Sequence, residues 1–310
     1  MRLQFVLRRL IMLGPVVVGV TLVVFLLIHL APGDPVVVML GRNYNPEVAA
    51  NLRHNLGLDR PLPVQYVLWL WRMAQGDLGT SLHTREPVAK LIVERAPTTL
   101  TLALGTMLVA ILIGVPAGVV SATRQDTWFD NLCRLLAMLG VSMPVFWLGL
   151  LLIIAFAWKI PLFPPGGSLA QYGLKAMVLP SIALGASFAA LITRMTRSSM
   201  LEVLRLDYVR TARAKGLAEA QVYYRHALKN SLIPLITVVG LQAGTILSGA
   251  VLTETIFALP GLGRLLTNSI GTRDFPLIQG CVLVTVLMFV LANLVVDLLY
   301  TFVDPRISYS

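Results

Sequence analysis

Four histidines, two cysteines and fifteen carboxylates are the groups with which this chain could do chemistry, and their spacing forms no catalytic set. His29, His54, His83 and His226 lie far apart, and no His-Glu-x-x-His pair brings two imidazoles onto one helix face. Cys133 and Cys281 sit in or beside apolar runs without a partner at metal or redox spacing, so they read as small apolar side chains. No Gly-x-x-x-x-Gly-Lys-[Ser/Thr] phosphate loop is present, which predicts a chain that does not hydrolyse ATP itself. Gly166-Gly167 and Gly261-Leu-Gly263 are glycine-rich but fall in loops on the outer side of the topology derived below. Ser142, Ser187 and Ser248 stand in apolar surroundings, where a hydroxyl ordinarily bonds back to its own helix or across to a neighbour. The expectation is no catalytic residue and no metal site.

Ionisable side chains inside apolar runs are costly and so draw attention as functional groups. Asp297, with Asn293 one helical turn earlier, reads in two ways. It is a pathway-lining or proton-carrying group, or, the reading favoured here, a carboxylate near the cytoplasmic end of a span bonded to Asn293 or a basic loop residue. Glu254, at the outer end of another run, is a candidate for an external gate or an interfacial cap.

The elements that position these groups follow from composition. Hydrophobic residues make up 56% of the 310 and charged ones 13%, against about 25% charged in a soluble domain. Mean hydropathy is +0.78, and Gly (24) and Pro (18) are not depleted, which suits membrane helices. A formal net charge of +10 would raise the question of nucleic acid in a soluble chain. Here topology accounts for it, and no nucleic-acid partner is expected. Runs near the 20 apolar residues needed to cross a bilayer occur at 10–31, 98–122, 132–158, 176–192, 232–257 and 280–303. The first follows Arg2, Arg8 and Arg9 and ends in Ala31-Pro-Gly-Asp-Pro35; it exceeds a signal-peptide core and reads as a retained anchor. Met143-Pro144 breaks the third, and Pro116, Pro144 and Pro180 are expected to kink their helices.

The stretch 194–230 carries eight basic residues against Glu202, Asp207 and Glu219, so it should be cytoplasmic. Counting along the spans, the N-terminal segment 1–9, the loop from Arg124 to Arg134 and the tail 305–310 with Arg306 share that side. The result is an all-α polytopic membrane protein of about six transmembrane helices with both termini cytoplasmic. Residues 32–97 then form a small extracytoplasmic helical subdomain, with helix patterning at 46–56 and 64–73 and turns at Asp59-Arg-Pro61 and Gly76-Asp77. Residues 98–304 form the core domain.

Within 194–230, Leu201, Leu204, Tyr208, Thr211 and Ala212 recur at helical spacing, Gly216 stops that helix, and a second is expected over 219–230. A helix, a glycine turn and another helix offer a rigid knob to a cytoplasmic partner; a basic amphipathic loop resting on anionic lipid is equally compatible.

The run Asp207-Tyr-Val-Arg-Thr-Ala-Arg-Ala-Lys-Gly-Leu217 resembles the coupling loop of ATP-binding-cassette importer permeases of the dipeptide/oligopeptide/nickel group. Four further stretches are similar to the same group: His29-Leu-Ala-Pro-Gly-Asp-Pro35, Gly76-Asp-Leu-Gly-Thr-Ser81, Thr253-Glu-Thr-Ile-Phe-Ala-Leu-Pro-Gly-Leu-Gly-Arg264, and Asn293-Leu-Val-Val-Asp-Leu-Leu-Tyr300 with Asp304-Pro-Arg306. They span the chain in the expected order. The wider importer signature opens Glu-Ala-Ala; here Arg210-Thr211-Ala212 stands in that place with Gly216 kept, and the downstream Leu-Pro is displaced to Ile233-Pro234.

The resemblance implies a permease subunit in the bacterial cytoplasmic (inner) membrane, moving di- or oligopeptides by alternating access. Asp207, Arg210, Thr211, Ala212, Arg213, Ala214, Lys215, Gly216 and Leu217 would contact an ATPase subunit. It implies a second homologous permease, two ATP-binding subunits that carry ATP and Mg, an extracytoplasmic binding protein, surrounding lipid, and no cofactor on this chain. Nickel or another small solute is the alternative cargo. A self-sufficient secondary transporter would offer intramembrane charges for ion coupling, and these spans are nearly bare of them.

Overall fold

The computed structural model describes residues 12, 14–26, 36–37 and 45–303. The segments 1–9 and 305–310, both ends of the 10–31 run, and the His29–Pro35 and Asp304–Arg306 motifs fall outside the described residues. Among the described residues the chain is helical, with one isolated antiparallel bridge between Thr80 and Pro87. The helices are α1 (Gly14–Leu26), α2 (Pro46–Leu56), α3 (Leu62–Ala74), α4 (Val88–Thr123), α5 (Trp128–Ser142), α6 (Val145–Lys159), α7 (Lys175–Leu204), α8 (Asp207–Ala214), α9 (Lys229–Ile256), α10 (Leu262–Thr272) and α11 (Phe275–Val303). Four of them, α4, α7, α9 and α11, contain windows long and apolar enough to cross a membrane. The pair α5–α6 is bent by 105° at Met143-Pro144 and makes a fifth candidate; Pro144 has no N–H to continue the α5 ladder. The remaining run of the six expected is described only over α1.

Two compact units divide the chain: Met1–Pro97 with Gly261–Val290, and Thr98–Pro260 with Leu291–Ser310. In the first, α2 is capped by Asn45, whose side chain accepts from the Glu47 N–H, and ends in Gly57. Phe25 of α1 packs against Tyr66 and Trp69 of α3, and Thr21 meets Tyr66 Oη at 2.8 Å. The first turns of α4 pack on α10 and α11 through Val88, Leu91, Ile92, Leu262, Leu277 and Cys281, which places that cysteine in an apolar core.

In the second unit α7 is the hub, packed by α5, α6 and α9. Two-thirds of its apolar window (67%) is buried, against 28% for α4. α4 presents Leu100, Leu104, Leu108 and Leu112, one per turn and all exposed, as lipid does not penalise. Its other face approaches α7 through Gly114-Val-Pro-Ala-Gly118. A Cβ at Gly114 would lie 2.7 Å from the Ala189 carbonyl oxygen, and one at Gly118 2.8 Å from that of Thr193. Small residues four apart allow this backbone approach, the means by which helices associate where no hydrophobic effect drives them together.

Helix ends depart from hydropathy ends in three places. α4 starts at Val88, ten residues before the apolar run, because Lys90 pairs with Glu86 at 3.1 Å and with Glu94 at 4.0 Å on the same solvated face. α7 continues to Leu204, so the first part of 194–230 is helix rather than loop. The single helix expected through Leu201 and Ala212 is two, because Leu206 turns to extended backbone (φ −72°, ψ 148°) and begins α8 afresh. The helix expected over 219–230 is likewise no separate element: Glu219–Gln221 and a π-helical stretch, Val222–Leu228, run directly into α9. The i→i+5 winding brings Val222 and Ala227, both fully buried, towards one face.

Candidate functional site

α8 carries most of the residues singled out for coupling. Its first turn holds Asp207, which complements the positive end of the helix dipole. Two side chains anchor it: Val209 (0% exposed) and Ala212 (6%) pack with Val222, Val203 and Leu204. Asp207, Arg210, Thr211, Arg213, Ala214, Lys215, Gly216 and Leu217 are exposed. The structure therefore splits the expected contact set into one buried anchor, Ala212, and an outward rim.

The turn after α8 has the form of a Schellman cap. The Gly216 N–H donates to the Arg213 carbonyl at 2.9 Å and the Leu217 N–H to that of Ala212 at 3.4 Å. Gly216 has φ +77° and nothing within 4 Å of where a Cβ would stand, so the backbone angle, not space, calls for glycine.

Two side-chain ties fasten α8 to the following helical run. Arg213 Nε donates to Glu219 Oε1 at 3.0 Å and Nη2 to Oε2 at 3.4 Å. The Arg213 hydrogen bond holds the Glu219 carboxyl below its usual range, and Glu219 in turn raises Arg213. Burial pushes the neighbouring Tyr223 phenol up. On the other side, Asn230 Nδ2 donates to Tyr208 Oη at 2.7 Å, and that hydroxyl donates to the His226 carbonyl at 3.2 Å. Arg210 makes only a long contact with Asp207 (3.6 Å), both side chains largely exposed. The assembly is a stapled knob with Asp207, Arg210 and Lys215 facing outward.

The second candidate group lies elsewhere. Glu254 is fully buried and accepts from Thr99 Oγ1 at 2.6 Å, while its carbonyl accepts from the Leu259 N–H. It stands at the far end of α9 from the knob, about 38 Å of helix beyond Lys229 at 1.5 Å per residue. Asn293 is half-buried on α11, and the side chain of Asp297 lies outside the described residues. Among the described residues no group of three His, Cys, Asp or Glu is placed to hold a metal.

Two polar clusters were not anticipated. Asp130 (0% exposed) accepts from Arg197 Nε at 2.9 Å and Nη2 at 2.8 Å, from Ser121 Oγ, and from the Asp126 N–H at 3.1 Å. This ties the loop after α4 to the end of α7, so the Arg124–Arg134 and 194–230 segments meet at one end of the bundle. In the other unit Asp274 (1% exposed) accepts from Ser81 Oγ at 2.5 Å and from the His83 N–H at 3.4 Å. The only sequence signal for either was a carboxylate beside an apolar run.

Known proteins carry the same pattern. The family model described as "Binding-protein-dependent transport system inner membrane component" matches residues 114–309, and its N-terminal companion matches residues 2–103. The dipeptide transport system permease protein DppB of Alkalihalophilus pseudofirmus is 47% identical over 99% of this chain and all of its own length. DppB of Escherichia coli K12 is 44% identical, covering 99% of both chains. The glutathione transport system permease protein GsiC of Salmonella typhimurium is 43% identical over 99% of this chain. Among solved structures, the inward-facing MetNI methionine ABC transporter matches 69% of this chain and 96% of its own with a TM-score of 0.57 at 19% identity, a likeness of fold.

Proposed function

Because the chain belongs to the family of inner-membrane components of binding-protein-dependent transport systems, we propose that it is the permease subunit through which an ATP-binding-cassette importer moves di- and oligopeptides. It is a multi-pass protein of the inner membrane. The near-full-length identity to dipeptide permeases carries the peptide reading. Glutathione, the cargo named for another relative, is itself a short peptide.

The work of this subunit is mechanical. The knob built from α8 and the Gly216 turn docks in a groove of a partner ATPase, with Val209 and Ala212 fixing its footing and Asp207, Arg210, Lys215 and Leu217 meeting the partner. The ATPases bind ATP and Mg, this chain binds no cofactor, a second homologous permease completes the pathway, and an extracytoplasmic protein delivers the peptide. Both termini face the cytoplasm in this arrangement. The shared end of Asp130 and Arg197 supports it, because it groups the basic segments on one side.

The test is uptake of a labelled dipeptide into proteoliposomes. Uptake is expected only when this chain is assembled with a second permease, two ATPases, ATP and a loaded binding protein. Transport by this chain alone would overturn the proposal.

A further inference from the structure

A cleft of about 710 Å³ opens between α5 and α7, bounded by Asn131, Arg134, Leu135, Met138, Arg194 and Ser198 among others. Arg134 and Arg194 are exposed, and neither has an ion-pair partner among the described residues. The third arginine on its wall, Arg197, is held by Asp130, which accepts from two of its three guanidinium nitrogens, and that carboxylate is fully buried rather than free to repel an anion. The cleft therefore keeps two uncompensated positive charges beside hydroxyl and amide donors.

Its depth in the membrane is marked independently. Trp128 (67% exposed) and Phe129 meet edge-on at the start of α5, ring centroids 5.2 Å apart, and the Arg124 guanidinium lies 4.5 Å over the Phe129 ring. An exposed indole beside a stacked cation belongs to the headgroup layer. Arg134 lies about 9 Å of helix beyond Trp128, and from it Leu135, Met138 and Val141 continue along one face of α5, 55%, 71% and 52% exposed. The lining thus passes from cationic to apolar within two turns, the profile of a phospholipid rather than of a soluble anion.

We infer that this cleft binds an anionic phospholipid. Arg134 and Arg194 take its phosphate, Asn131 and Ser198 donate hydrogen bonds, and an acyl chain lies along Leu135, Met138 and Val141. Basic pockets between helices on the cytoplasmic side are where such headgroups settle, so the inference rests on the orientation adopted above. Arginine suits the role because its planar fork engages two phosphate oxygens at once.

The experiment titrates the assembled, detergent-solubilised transporter with spin-labelled phosphatidylglycerol and, separately, spin-labelled phosphatidylcholine. R134Q/R194Q is expected to weaken phosphatidylglycerol binding about fivefold per arginine and to leave phosphatidylcholine unchanged. R134K/R194K, which keeps the charges but loses the planar forks, recovers part of the binding. K90Q/R95Q, an equal loss of charge on α4, leaves it as in the wild type. Unchanged phosphatidylglycerol affinity in R134Q/R194Q overturns the site. So does displacement of the lipid by millimolar inorganic phosphate, which would mark a site for a free anion. A cross-link from M138C to the second permease also overturns it, since the cleft would then be a protein interface. ATP-driven peptide uptake by the same complexes separates the two readings. If uptake stays intact while lipid discrimination is absent, only the lipid site falls; if uptake proceeds without the ATPases, the importer reading falls.

Discussion

Arg197 grips Asp130 with two nitrogens, Nε at 2.9 Å and Nη2 at 2.8 Å, although 67 residues separate them in the chain. The carboxylate is fully buried and the guanidinium 23% exposed, so the two partners are not equally dispensable. Removing the cation strands a buried charge, which costs about 3–5 kcal/mol, whereas Asp130→Asn keeps hydrogen-bonding groups in place. R197M is therefore expected to lower the melting temperature of the purified protein far more than D130N, and D130N/R197M to recover much of the loss. Equal effects of the two single variants would contradict the pairing.

Gly216 is predicted to be replaceable by asparagine but not by alanine. Its φ of +77° costs alanine roughly 1–2 kcal/mol, while asparagine visits this region more easily. Because nothing crowds the site, the cost falls on the turn rather than on packing. G216A should reduce peptide-stimulated ATPase activity of the assembled transporter and lower its melting temperature by only a few degrees, and G216N should restore most of both.

Acid is expected to loosen the knob. Arg213 depresses the Glu219 carboxyl below 4.5, its ordinary value, so the tie is present above that value and lost as pH falls through the lower folded one. Arg213 is raised, and its charge persists throughout. Protection of the 207–219 backbone amides, taken against the intrinsic exchange rate at each pH, should hold from neutral pH down to about 4.5 and fall below it. E219Q should show the lower protection already at neutral pH, with little further change in protection on acidification.

On the seam between α4 and α7, two substitutions should act in opposite directions. Gly114→Ala pushes a methyl group to 2.7 Å from the Ala189 carbonyl oxygen and should cost about 1–3 kcal/mol. The Thr196 hydroxyl is buried with no hydrogen-bond partner among the described residues, so Thr196→Val removes an unsatisfied polar group and should be neutral or stabilising. Thermal melting of the two variants checks both.

The order of the helices was legible because apolar run length and loop charge act locally, and the α2 boundaries follow from Asn45, Pro46 and Gly57 alone. The helix ends near the membrane surface were not. Hydropathy reports where lipid stops, while the hydrogen-bond ladder of α7 continues to Leu204 beyond it. The stop at Gly216 was readable, but the spacing of Leu204, Tyr208 and Ala212 ran the end of α7 and the knob together as one helix, and the staples gave no signal. Arg213–Glu219 and Tyr208–Asn230 depend on a π-helical register that no periodicity announces. Asp130 and Asp274 escaped because their partners, Arg197 and Ser81, lie 67 and 193 residues away. Glu254 stood out as a charge in an apolar run, yet only the fold shows it enclosed against Thr99.

Pro234 sits five residues into α9, close to the knob and far from Glu254. Lacking an N–H, it interrupts the hydrogen-bond ladder of the helix near the knob. The segment beyond it, from Pro234 to Glu254, is about 30 Å long. A change of about 10° at the proline would carry the Glu254 end sideways by about 5 Å. If the knob is pushed by a partner as proposed, a small displacement at Tyr208 and Asn230 would become one as wide as a peptide backbone at the far end of α9.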